Sequence, residues 1–202
     1  NVTNMSAMFG NVTTTSLDVS GLDTQNVTSM SDMFGMYNPS FGGKYNSNIE
    51  NIIGLENFNT TNVTDMNCMF RYVKVTNLNL SSFDTSNVIN MQGMFSSASL
   101  LRSLGLSNFS TAKVSDMSSM FSSAKSLTNL NVSNFDTQNV TTMQAMFLEC
   151  SNLTAIDVSN FNTKKVTNMS GMFGKCIKLE NLDVSNFDTS KTESMENMFT
   201  YC

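Results

Sequence analysis

The chain is expected to fold as an α/β solenoid, with one short parallel strand plus one short helical turn per 25–26-residue repeat. Two observations predict this. Sixteen of the 17 methionines fall in one recurring phrase, Met-x-x-Met-Phe, and consecutive copies of the phrase carry the same apolar columns between them. The phrases begin at Met5, Met30, Met66, Met91, Met117, Met143, Met169 and Met195. Their spacings are 25, 36, 25, 26, 26, 26 and 26 residues, a fixed period with one insertion, which marks a stacked repeat array.

The strand comes first in each repeat. Leu130 and Val132 flank polar Asn131, and Ile156 and Val158 flank Asp157, so side chains alternate with the period of an extended chain. Seven such strands are expected, centred on Asp18, Gly54, Asn79, Gly105, Asn131, Asp157 and Asp183. Stacked at about 4.8 Å per strand they would form one parallel sheet about 30 Å across.

The helical segment follows. Val140, Met143, Phe147 and Cys150 recur at spacings of three, four and three, the apolar stripe of a two-turn helix or a tightened helical turn. A helix so short is marginal alone, so its order must come from neighbouring repeats. One repeat cannot bury its own apolar face; stacking gives all of them a shared core. The expected organisation is therefore a single domain over residues 1–202, about eight repeats with partial ones at each end, interrupted by a loop insertion at about 36–46.

The consensus C-x-x-L-x-x-L-D-V-S-N-F-D-T-x-x-V-T-x-M-x-x-M-F resembles the 26-residue bacterial surface-protein repeat grouped with the BspA-like leucine-rich repeats. The resemblance covers nearly the whole chain and departs at the two ends and at residues 36–46. It implies a leucine-rich-repeat-like solenoid at the cell surface or outside the cell, with adhesion to a protein or glycan partner on a host or neighbouring cell as its role. The alternative role is a structural spacer or self-assembling stalk, with end-to-end self-association. The chain opens and closes within the repeat pattern, so an export signal, caps and anchor are expected elsewhere.

Composition narrows the partners. With 11 basic and 16 acidic residues the net charge is −5, and no basic stripe is present for nucleic acid or anionic membrane. No run of eighteen or more apolar residues suggests direct membrane insertion. The chain has no His, no glycine-rich phosphate loop, and acidic residues that recur by period instead of converging as a unique pair. No catalytic residue, cofactor or metal site is expected.

Several columns invite sharper readings. Cys150, Cys176 and Cys202 share a slot with Ala98, Ala124 and Val73, which favours buried free thiols over a disulfide or a zinc site. Cys68 stands in a column with Ala7, Asp32, Gly93 and Ser119, expected to face outward and to make Cys68 the most reactive thiol. Met-x-x-Met can hold Cu(I), but each pair shares its face with Val and Phe, so core packing is the stronger reading. A threonine column, Thr24, Thr60, Thr85, Thr111, Thr137, Thr163 and Thr189, follows a mostly Asp/Asn column suited to satisfying backbone donors in turns. A calcium-binding edge or an exposed hydroxyl array are the weaker readings of these columns. Asn-x-Ser/Thr triplets such as Asn62-Val-Thr and Asn139-Val-Thr arise from the repeat itself.

Two surfaces are expected to carry binding. The outward sheet face is lined by Asp18, Asn79, Asn131, Asp157 and Asp183, short polar groups suited to a glycan, a peptide backbone or a basic protein. The insertion offers the aromatics Tyr37, Phe41 and Tyr45 as anchors.

Overall fold

A computed structural model describes residues 1–35 and 47–202. The repeats lie side by side in parallel. One line of paired residues runs through all eight phrases, from Asn4 through Ser29, Asp65, Asn90, Asp116, Thr142 and Asn168 to Ser194. Each of these residues stands immediately before the first methionine of its phrase.

The strand side is shorter and less continuous than expected. β1 (Ser16–Asp18) pairs with β2 (Asn51–Ile53), and β3 (Asn77–Asn79) pairs with β4 (Ser103–Gly105), as two separate two-stranded parallel sheets. Single bridges Asn129–Ala155 and Ala155–Asn181 continue the side in later repeats. The expected strand centre at Gly54 is corrected: Asp18 pairs with Ile53, while Gly54 has φ 94° and precedes a 3-10 turn at Leu55–Asn57. Thr24 and Thr60, farther along, are 36 residues apart, one more than Asp18 and Ile53. The extra residue is absorbed at Gly54, a bulge that ends the pairing.

The Met-x-x-Met-Phe segment forms no helix, and its backbone donors show why. In the fourth phrase the N–H groups of Met91, Gly93, Phe95 and Ser97 donate to Asp116, Ser118, Met120 and Ser122 of the next repeat, at 2.7–3.1 Å. The alternating N–H groups of Met94, Ser96 and Ala98 close turns onto Met91, Gly93 and Phe95, at 2.9–3.2 Å. The N–H of Gln92 goes to the side chain of Asn90 at 3.0 Å. Every donor from 91 to 98 is thus used, half of them across to the neighbour, and none is left for an i→i−4 ladder. Successive four-residue turns place apolar residues at the same three-and-four spacing as a helix, so the apolar stripe is preserved.

Among the described residues these turns take left-handed backbone at two positions of the repeat. The third phrase residue has φ of 53–64° at Ala7, Asp32, Cys68, Gly93, Ser119, Ala145, Gly171 and Asn197. A second series, Asn11, Tyr72, Ser97, Ser123, Glu149, Lys175 and Tyr201, has φ of 59–65°. Positive φ at the third residue of a four-residue turn, after a residue of negative φ, is the type II arrangement. A non-glycine residue there is strained, and the cross-repeat hydrogen bonds on either side hold it.

The interior is one cluster that includes both methionines and the phenylalanine of the second to seventh phrases and the Val, Leu and Phe columns of the preceding segments, while Met8, Met195 and Phe199 of the end phrases are exposed. The phrase rings stack in an unbroken file from Phe9 to Phe199, with centroids 5.3 Å apart at Phe34–Phe70 and 6.0 Å at Phe173–Phe199. Met66 through Met172 of these phrases are fully shielded, as core packing requires. Unbranched thioethers fill the gaps between rings of slightly different tilt. No helix among the described residues is long and apolar enough to cross a membrane.

Candidate functional site

The strand face presents Asp18, Asn79, Asn131, Asp157 and Asp183 as exposed residues. None is idle: the Oδ1 of each accepts the backbone N–H two residues on, from Ser20, Ser81, Ser133, Ser159 and Ser185, at 2.9–3.1 Å. These are Asx turns, which carry the chain out of the strand. Hydrogen bonding from the serine side chains and backbone holds the carboxyls of Asp18, Asp157 and Asp183 below the ordinary carboxylate range. They remain charged to lower pH.

The five do not form a single row. Exposed Ile53 pairs with Asp18, and Gly105 pairs with Asn79, so the polar series is broken there. Asn131, Asp157 and Asp183 stand in three consecutive repeats bridged two residues earlier at Asn129, Ala155 and Asn181. The structure therefore brings these three together. The insertion aromatics Tyr37, Phe41 and Tyr45 lie outside the described residues.

The Asp/Asn column before threonine makes turns in the same way. Asp84 accepts from the Ser86 N–H at 2.9 Å and Asp136 from the Gln138 N–H at 3.0 Å. The threonines themselves do something sequence reasoning missed. Thr24, Thr60, Thr85, Thr111, Thr137 and Thr163 are buried, and each hydroxyl donates to a backbone carbonyl of the next repeat at 2.9–3.1 Å. The exposed hydroxyl array is overturned, because these hydroxyls face inward as bolts between repeats. Asparagines add further cross-links: Asn62 and Asn139 donate to the carbonyls of Gln25 and Ala112 in the preceding repeat, at 2.8 and 2.7 Å.

The cysteine slot is apolar, as its column indicates. Cys150 and Cys176 are buried thiols whose S–H groups each donate to the carbonyl of a phenylalanine in the preceding repeat at 3.1 Å. Burial pushes the Cys176 thiol up to about 12 and moves Cys150 in the same direction. The expectation for Cys68 is corrected. It occupies the left-handed turn position, is buried with 8% of its surface exposed, and desolvation raises its thiol above the ordinary range. Small residues fill that column because of the backbone conformation, not because the side chain is free in solvent.

Cys68 instead lines a hollow on the turn side, about 400 Å³ in volume, that spans the second to fifth phrases. The Arg71 guanidinium reaches the Cys68 sulfur at 3.8 Å and the Tyr72 hydroxyl at 3.5 Å, and lies 5.0 Å from the Tyr72 ring centre. Asp32 faces the same hollow, and its Oδ1 is buried without a hydrogen-bond partner among the described residues. Desolvation raises the Asp32 carboxyl, opposed by the charge of Arg71. Gly93 keeps the space open, since a Cβ there would stand 3.0 Å from the Cys68 sulfur. The sequence signal for this site was present: Asp32 and Arg71 are the charged members of columns otherwise held by uncharged, mostly small residues. Among the described residues no group of three or more His, Cys, Asp or Glu is placed to hold a metal ion.

No curated protein and no solved structure is significantly similar to the chain. The model of one family, described as Mycoplasma protein of unknown function, DUF285, matches three overlapping spans, residues 1–99, 36–154 and 126–202. Those spans take in every repeat, and the chain belongs to the DUF285 family, a family of repeat-containing proteins.

Proposed function

We propose that the chain is a non-catalytic recognition module of a bacterial surface protein, a BspA-like leucine-rich-repeat solenoid that binds a protein or glycan partner outside the cell through its polar strand face. The observation that carries this reading is the row Asn131, Asp157 and Asp183, one polar group per repeat on consecutive exposed turns. Neighbouring repeats at the strand spacing of about 4.8 Å set the three side chains across roughly 10 Å. Each is held by its Asx bond, so little side-chain entropy is lost on binding. The paired carboxylates favour a partner that offers hydroxyls, amides or basic side chains.

Screening the chain against glycan arrays and extracellular-matrix proteins tests the reading. The informative variants are Asn131→Asp, Asp157→Asn and Asp183→Asn, which keep the Oδ1 acceptor and the turn but change the charge. A partner whose binding ignores all three changes acquits the strand face. Light scattering over a concentration series addresses the rival role of self-assembling spacer, which a strictly monomeric chain removes.

A further inference from the structure

We propose that the turn-side hollow around Asp32 and Arg71 is a binding site for a neutral saccharide unit, separate from the strand face. Its volume of about 400 Å³ lies in the range of small-molecule sites, about 300–1,000 Å³. What selects the ligand is the state of its polar groups. In this chain the recurring polar side chains are mostly committed to Asx turns or to bonds between repeats. The hydroxyls of Ser96, Ser97, Ser119 and Ser122 make no side-chain hydrogen bond among the described residues, and all four line the hollow. Asp32 adds a carboxyl group to the lining, and its shielded Oδ1 also lacks a partner there.

Serine hydroxyls both donate and accept, and a carboxylate oxygen accepts only. A ligand bearing several hydroxyls in a fixed array meets both needs at once. An anion fits less well, because the Arg71 guanidinium is already held against the Cys68 sulfur and the Tyr72 ring and hydroxyl. A divalent cation would need six or more oxygens, and the hollow supplies one carboxylate. The repeat pattern alone does not produce this lining. The corresponding hollow three repeats later, about 390 Å³, has Ala145, Leu148, Gly171 and Gly174 in those columns and keeps polar groups there only in its last repeat, at Asn197 and Thr200.

The test is an amide-shift titration of the ¹⁵N-labelled chain with glucose, galactose, mannose and N-acetylglucosamine, each paired with saturation-transfer difference spectra. At least one sugar is expected to shift the amides of Asp32, Gly93, Ser96 and Ser119 and to leave Asn131, Asp157 and Asp183 unmoved. Asp32→Ala is expected to weaken that sugar about tenfold or more, the effect of losing a hydrogen bond to a charged group. Ala7 and Ala145 occupy the same left-handed position, so the fold accepts alanine there. Should the variant nevertheless fail to fold, the amide map of the unaltered chain still decides, and Ser119→Ala supplies a second substitution with the same precedent. Three results overturn the proposal: no sugar moves these amides, the zwitterions glycine or glutamate move them instead, or binding is undiminished in a folded Asp32→Ala. Each leaves the strand-face reading intact, because that is scored at different residues.

Discussion

The hydroxyl of Thr137 holds both backbone groups of Asn162 in the next repeat: it accepts the N–H at 2.7 Å and donates to the C=O at 3.1 Å. A side chain that satisfies a donor and an acceptor at one residue fixes the register of two repeats at that point. Thr137 is 1% exposed, so neither bond is exchanged with water.

Thr137→Val keeps the shape and removes both bonds, leaving the part-buried Asn162 N–H and C=O without these partners. The expected cost is about 2 kcal/mol, read as a lower urea midpoint. Thr137→Ser retains the hydroxyl and is expected to recover more than half of the loss. Exposed Thr189 is the control, because its replacement by Val should stay within about 0.5 kcal/mol. Equal losses at Thr137 and Thr189 would sink the bolt interpretation.

Gly54 answers a different constraint. At φ 94° an L side chain is strained, and a Cβ built there would stand 2.4 Å from both the Cα and the N of Ser20. Backbone cannot move aside as a flexible side chain can. Gly54→Ala is therefore expected to lower the thermal midpoint by several degrees, whereas Gly21→Ala, where a Cβ meets nothing within 4 Å, should have little effect. A melting curve for each variant decides, and an unchanged Gly54→Ala midpoint contradicts the bulge.

The columns of the sequence reveal which residues are interior, and Met143, Met146, Phe147 and Cys150 are all inside. They do not reveal the backbone that puts them there. Three-and-four spacing is common to a short helix and to tandem type II turns, so periodicity cannot separate the two. The usual marker of left-handed backbone is glycine, yet the turn column holds Ala7, Asp32, Cys68, Ser119, Ala145 and Asn197 beside only two glycines. The strain is borne by hydrogen bonds between repeats, which no single repeat displays. The same limit hid the hollow: Asp32, Cys68 and Arg71 belong to two different phrases and meet only once the repeats are laid together. The strand-face residues were legible because one polar side chain between two apolar ones declares its side of the sheet.

Thiol reactivity should follow burial. The thiolate is the nucleophile, and desolvation raises Cys68, Cys150, Cys176 and Cys202 above the ordinary thiol range. Cys202 alone is exposed, so an aromatic disulfide reagent at pH 8 is expected to label it first, Cys68 more slowly, and Cys150 and Cys176 only on unfolding. A raised folded value means that the unfolded chain loses its thiol protons first as the solution becomes alkaline. The thiol contribution to stability is complete below about pH 8.5 and declines as pH rises toward 12, the value reached by Cys176. Cys150→Ala and Cys176→Ala, with alanine already in that slot at Ala98 and Ala124, should flatten this alkaline decline. Rapid labelling of all four thiols in the folded chain would contradict the packing.

The acid limb has the opposite sign. Asp18, Asp84, Asp157, Asp183 and Asp188 lie below the ordinary carboxylate range, chiefly because serine groups two residues on donate to them. In the interval between the folded and unfolded values the unfolded chain binds more protons, so stability there rises with pH. The contribution is fully present above about pH 4 and is lost as pH falls through the folded values. Asparagine at these positions keeps the Oδ1 acceptor of the Asx turn and cannot titrate, as Asn79 and Asn131 show in the column of Asp18, Asp157 and Asp183, and Asn59 and Asn162 in that of Asp84 and Asp188. The combined variant Asp157→Asn, Asp183→Asn and Asp188→Asn is therefore expected to match the parent chain at pH 3 more closely than at pH 7 in urea midpoint. Asp32 is excluded from the set, because desolvation moves it the other way and its contribution falls as pH rises. If the variant and parent curves run parallel from pH 7 to pH 3, the turns do not depend on ionised aspartate, and the charge on the strand face has no structural consequence.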